Sequence, residues 1–172
     1  MLCEPARARP GRKGLALDAL IASLLIWIGS HSALEVAGLP APTIVEMTPL
    51  EITRQVHRLA GMTLAPTVAD TRLFGAYDPH AGEHGTIYVV RAESAPYADE
   101  FANHLDNPYF HERLLHELVH HVQFRSGAID RLPCPAAAER DAYRLAGMFV
   151  RERHLRDPLA HRASLLRMLD GC

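Results

Sequence analysis

The sequence predicts an α+β fold, and two observations carry that expectation. Two runs of strand-type residues face each other across a turn rich in Gly and Pro, and the remaining apolar runs recur with helical spacing between capping residues. The length of 172 residues suits one domain, and 48% hydrophobic with 22% charged residues is ordinary soluble composition. A net charge of −2 provides no basic field, so nucleic-acid binding has no support in composition.

Residues 1–14 read as a flexible leader and residues 15–172 as a single domain. Arg7, Arg9, Arg12 and Lys13 precede an apolar stretch over 15–28, a pattern shared with secretory signals and membrane anchors. Asp18 interrupts that stretch, no clean A-x-A cleavage site follows, and the run is short for a membrane span. Leu17, Leu20, Ile21, Leu24 and Ile28 keep helical spacing, which favours a first core helix over a signal or anchor. A cytoplasmic location is therefore expected, with export or N-terminal membrane anchoring as the alternative; the oligomeric state is not readable.

Gly38, Pro40 and Pro42 mark a linker. Thr48-Pro49-Leu50-Glu51 combines an N-cap, a first-turn proline and a capping-box glutamate, predicting a helix to about Ala60 that ends at Gly61. Residues 71–77 and 86–90 read as a strand hairpin, with Asp78 to Gly85 supplying the turn. His80 and His84 in that turn read as exposed loop histidines.

Asn107-Pro108 is an N-cap followed by a first-turn proline, so a helix starts there, and Gly127 ends it. Leu115, Leu118, Val119 and Val122 are its packing residues, while His111 and Glu112 are expected to face solvent and His121 to be partly exposed. Another helix follows Pro135, where Ala136, Ala137 and Ala138 are strong formers. Glu139, Ala142, Tyr143, Ala146 and Val150 form one stripe, and the small residues at 142 and 146 allow a close neighbouring helix. Asp141 lies off the stripe and reads as a surface residue or a partner for a nearby Arg. Asp157-Pro158 to Leu169 reads as a final helix packed through Leu159, Leu165, Leu166 and Leu169.

Inside the helix after Asn107, residues 116–120 read His-Glu-Leu-Val-His. One helical turn separates His116 from His120, so both imidazoles leave the same face and can bind one Zn²⁺. Glu117 lies beside that face, where a carboxylate can accept a proton from metal-bound water. With 11 histidines in 172 residues, composition alone produces HExxH with a chance of roughly 4%, so a third ligand has to separate a site from a coincidence. Glu139 follows His120 after 18 intervening residues, positions 121–138, within Glu-Arg-Asp-Ala-Tyr.

HExxH with a helical Glu at that interval resembles the gluzincin branch of zinc metallopeptidases, and the E-x-x-A-Y form resembles small minigluzincin-like domains that are uncharacterised. The resemblance covers residues 107–150. It implies a zincin-like fold, with the HExxH helix packed on a small antiparallel sheet and on further helices. It also implies Zn²⁺ held by His116, His120 and Glu139, and a peptide or protein substrate. Glu117 would be the catalytic general base, taking a proton from zinc-activated water and passing it to the leaving amine. A metzincin arrangement fails, because Gln123 and Ser126 stand where Gly and the third His belong.

Cys134 and Asp141 remain rival third ligands, Cys134 also suiting helix entry between Pro133 and Pro135. Tyr143 and Gln123 are candidates for supporting a ligand or touching substrate, with packing or a helix-end contact as the alternative. The oxyanion donor is open among Tyr88, Tyr143, His154 and His161. By order along the chain, the resemblance to zincin-like folds also implies that the strand at 86–90 lies beside the HExxH helix and pairs with an extended substrate. Cys3, Cys134 and Cys172 make an odd set, and Cys134 and Cys172 would pair only in an oxidising compartment. Two further readings stay open: a non-catalytic zinc-stabilised binding or regulatory domain, and a metal-free helical domain.

Overall fold

The computed structural model describes residues 12–171, which form five α-helices and a three-stranded mixed sheet in an α+β arrangement. Helix α1 spans Arg12–His31, followed by strand β1 (Thr43–Met47), helix α2 (Pro49–Leu59), strands β2 (Gly75–Asp78) and β3 (Thr86–Val90), and helices α3 (Pro108–Arg125), α4 (Pro135–Glu152) and α5 (Arg162–Leu169). Most of the expected leader, and with it Cys3, lies outside the described residues; so does Cys172.

The sheet order is β1-β3-β2, with β3 antiparallel to β2 and parallel to β1. The hairpin of β2 and β3 is present, with β2 starting at Gly75 rather than at residue 71 and including Asp78, but the wholly antiparallel sheet is not. Thr43–Met47 pairs with Thr86–Val90 in parallel, a strand where only a linker was read. Five residues after a proline pair carry little local signal, and this strand exists because a partner some 40 positions away completes its hydrogen bonds. Thr86–Val90 is also the central strand, bonded on both sides, so it cannot receive an extended substrate. The free edges belong to β1 and β2.

The local signals at the helix ends operate as expected. Thr48 and Glu51 form a complete capping box. Asn107 accepts from the Tyr109 amide at 2.9 Å and donates to the Pro96 carbonyl at 2.9 Å. Gly127 follows α3 at φ +67°, a left-handed conformation that ends the helix at little steric cost.

Helix α3 is the centre of the molecule. Leu115, Leu118, Val119 and Val122 are fully buried, joined by Phe110 and Leu114, and the helix packs on β2, α1 and α4. Ala142 and Ala146 of α4 are completely buried. Their small side chains let α4 close on α3. Ile21, Leu24 and Ile28 of α1 enter the same core, while Leu15 and Ile26 on its other side are exposed. Gly14–His31 is nonetheless long and apolar enough to cross a membrane by length and composition.

Four further assignments are corrected. His121 is fully buried, with Nε2 2.9 Å from the Pro40 carbonyl oxygen and Nδ1 3.3 Å from the Tyr77 hydroxyl. Glu112 is buried and ion-paired to Arg162 at 2.7 Å, and His111 is half-buried against the Leu105 carbonyl. Finally, α5 starts at Arg162 rather than at Asp157, because the Asp157 carboxylate accepts from Leu159 N and caps a turn there instead.

Candidate metal centre

The one-turn spacing on α3 brings His116 Nε2 and His120 Nε2 to 3.3 Å from each other. Helix α4 delivers Glu139 across from them, with Oε2 3.4 Å from His116 Nε2 and Oε1 3.4 Å from His120 Nε2. Among the described residues these three form the one cluster able to hold a metal ion. Three tetrahedral ligands at the usual zinc distances of about 2.0–2.1 Å stand about 3.3–3.4 Å from each other. The triangle therefore fits Zn²⁺, with one tetrahedral position left over. Asp141 turns away and ion-pairs weakly with Arg144 at 4.0 Å. Cys134 is the N-cap of α4 and is disulfide-bonded, so neither rival is a ligand.

The electrostatics of the triangle follow from close packing of opposite charges. Burial by itself would lower the His120 pKa and raise that of Glu139. The hydrogen-bonded contact between them prevails, lifting His120 to about 8 and holding Glu139 well below the usual carboxylate range. Glu117 behaves differently. It is 8% exposed, and desolvation drives its pKa upward against the attraction of His116 and His120. A carboxylate made more basic beside a histidine pair is a better proton acceptor than an ordinary one.

Two supporting contacts answer what the sequence left open. Gln123 is fully buried, its side-chain oxygen 3.0 Å from His120 Nδ1 and its nitrogen donating to the Ala138 carbonyl at 3.1 Å. It holds the His120 ring in place. The Tyr143 ring packs edge-on against His116 at a centroid distance of 4.5 Å. Burial raises the Tyr143 pKa, which keeps its hydroxyl protonated.

The triangle opens into a cleft of about 640 Å³ between α2, the β2 strand and α3. Val56, Leu59, Phe74, Tyr77 and Phe124 form apolar walls, and Glu117 and Tyr143 contribute polar groups. Of the four oxyanion candidates, Tyr143 lines this cleft and Tyr88, His154 and His161 do not. His80 is exposed, its ring edge-on to Phe124, and His84 lies 3.6 Å from Glu83.

Sequence reasoning missed Gly75 and Arg113. A Cβ at Gly75 would stand 2.6 Å from Glu117 Oε1, so only glycine lets the strand run this close to the carboxylate. Arg113 also lines the cleft, with its guanidinium carbon 2.9 Å from the centre of the Phe74 ring. Its place three residues before His116 on the helix of the histidine pair was the available signal.

With these features in view, the chain belongs to a family of domains of unknown function, DUF6647, whose model matches residues 13–168. No curated protein and no solved structure matches the chain.

Proposed function

We propose that this chain is a zinc-dependent metallopeptidase of gluzincin type with a zincin-like site, in which His116, His120 and Glu139 hold Zn²⁺ and Glu117 is the general base. The observation that carries the reading is the 3.3–3.4 Å triangle of ligand atoms beside a buried carboxylate of raised basicity. Zinc held there supplies Lewis acidity and a more acidic water. Glu117 then accepts the proton of the attacking water and returns it to the leaving amine. The protonated Tyr143 hydroxyl, on the cleft wall, is the donor best placed for the developing oxyanion. The substrate is a peptide, laid along the free edge of β2, whose residues Gly75, Ala76 and Tyr77 line the cleft.

A location goes with this reading. The disulfide at Cys134 favours an oxidising compartment, with α1 retained, over the cytoplasm expected from sequence alone.

The test is metal content by mass spectrometry, with hydrolysis of a peptide library, for the wild type and for His116→Ala, Glu139→Ala, Cys134→Ala and Glu117→Ala. The expected result is about one zinc per chain, lost in the His116 and Glu139 variants and kept in the Cys134 variant. Glu117→Ala should keep zinc and abolish hydrolysis. Zinc without hydrolysis in the wild type would leave a zinc-stabilised binding domain, and absence of zinc after reconstitution would sink the reading entirely.

A further inference from the structure

Arg113 is 8% exposed, yet among the described residues no carboxylate comes within ion-pairing distance of it. Its buried Nε has no hydrogen-bond partner. The adjacent Glu112 attracts it only through space and is bonded instead to Arg162 at 2.7 Å. What Arg113 does touch is the face of Phe74, which orients the guanidinium without neutralising it. Desolvation pulls its pKa down to about 10, which leaves it a cation at neutral pH. A buried cation without a partner costs several kcal/mol, and proteins keep one where something else completes the pair.

The guanidinium lines the same cleft as Glu117 and His120. Arg113, Glu117 and His120 follow i, i+4, i+7 spacing and share one face of α3. One turn of helix separates Arg113 from Glu117, a rise of about 6 Å, which is less than two residues of an extended peptide. Much of the rest of the cleft wall is apolar, and the other guanidinium on it, Arg72, is already paired with Asp70 at 2.7 Å, so Arg113 is the lining guanidinium left for a ligand.

We propose that Arg113 is the specificity determinant of the cleft and binds a carboxylate of the peptide within one or two residues of the scissile bond. That carboxylate is either an Asp or Glu side chain or the free C-terminus. Both present two coplanar oxygens, to which a guanidinium can donate in parallel. The proposal rests on the peptidase reading of the site, and its test separates the two.

Three probes on the zinc-loaded full chain suffice: dansyl-Leu-Ala-Gln-amide, dansyl-Leu-Ala-Glu-amide and dansyl-Leu-Ala-Gln with a free C-terminus. Affinities come from fluorescence anisotropy. One of the two acids should bind at least about tenfold more tightly than the neutral amide, and which one does so identifies the source of the carboxylate. Arg113→Met, which keeps the apolar stem, should erase that preference and leave binding of the neutral amide unchanged. Arg113→Lys should retain part of it.

Equal or absent binding of all three probes by the wild type would overturn the proposal, and this comparison needs no variant to fold. An acid preference that persists in Arg113→Met would overturn it too, since the carboxylate would then be held by the metal. So would a uniform loss across the three probes, the mark of a packing role. Acid preference without hydrolysis of any library peptide would defeat the peptidase reading and keep the role of Arg113; hydrolysis without acid preference would do the reverse.

Discussion

The Gln123 side-chain oxygen lies 3.0 Å from His120 Nδ1, and this contact orients the His120 imidazole. The Gln123 nitrogen is fixed by donation to the Ala138 carbonyl, so its oxygen must face the imidazole. An oxygen acceptor there holds a proton on Nδ1, so Nε2, which faces Glu139, is the nitrogen that would give up its proton to a metal ion. Gln123→Leu removes the orienting acceptor and the tie to α4. Zinc affinity should fall about 10–100-fold, measured by competition with a chromogenic chelator. An unchanged affinity would mean that packing alone holds His120.

Gly75 makes a separate prediction about Glu117. An alanine Cβ there would meet Glu117 Oε1 at 2.6 Å and Cγ at 2.7 Å, and the Cγ contact is not relieved by moving the carboxylate tip alone. Gly75→Ala should therefore shift Glu117, costing about 1–3 kcal/mol of stability by overpacking. Zinc should remain bound while peptide hydrolysis drops at least about tenfold, because a displaced base loses its geometry. Full activity in this variant would show that Glu117 does not act from this position.

How much of this was legible depended on how far away each residue's partner lies. Thr48, Asn107, Pro135 and Gly127 act on neighbours within a few positions, and the helices they bound stand where the sequence put them. The clustering of His116, His120 and Glu139 was legible because a helix fixes the separation of His116 and His120, and a second helix carries Glu139. His121 and Glu112 were misread because their partners, Pro40 and Arg162, are 81 and 50 positions distant. Strand β1 failed for the same reason, its hydrogen bonds being supplied by β3. Arg113 differs: its position on the helix was readable, but nothing local says that a buried guanidinium lacks a carboxylate.

The Arg162 cluster gives the fold a pH dependence. Arg162 is buried and donates to Glu112 of α3, to Asp157 and to the Tyr143 carbonyl of α4. Burial by itself would raise the Asp157 pKa, but the Arg162 hydrogen bond and the Leu159 amide outweigh it and hold the carboxyl below its ordinary value. A carboxylate with a depressed folded pKa adds stability that is complete above its unfolded pKa of about 3.9 and is lost as pH falls through the folded value. Thermal unfolding of Asp157→Asn should therefore lie below that of the wild type at pH 7, and the gap should close in acid. A gap independent of pH would mean that the asparagine acts through shape rather than charge.

Helix α1 poses the last question, whether it is part of the domain or a detachable leader. Ile28 is fully buried in the core shared with α3 and α4. The last turn of α1 is also fastened to the end of α4: Trp27 donates to Glu152 at 2.9 Å, and His31 lies 2.8 Å from the same carboxylate. Trp27 and His31 stack at 4.0 Å, so the two contacts support each other. Ile28→Ala should cost about 2–5 kcal/mol in denaturant unfolding, as expected for truncation in a packed core. Ile26 is 71% exposed on the opposite side, and Ile26→Ala should stay within about 0.5 kcal/mol of wild type. A dispensable leader would leave both variants unchanged, whereas a helix needed only to enter a membrane would respond to the two substitutions alike. A large effect at Ile28 with none at Ile26 makes α1 an element of the fold that carries His116, His120 and Glu139.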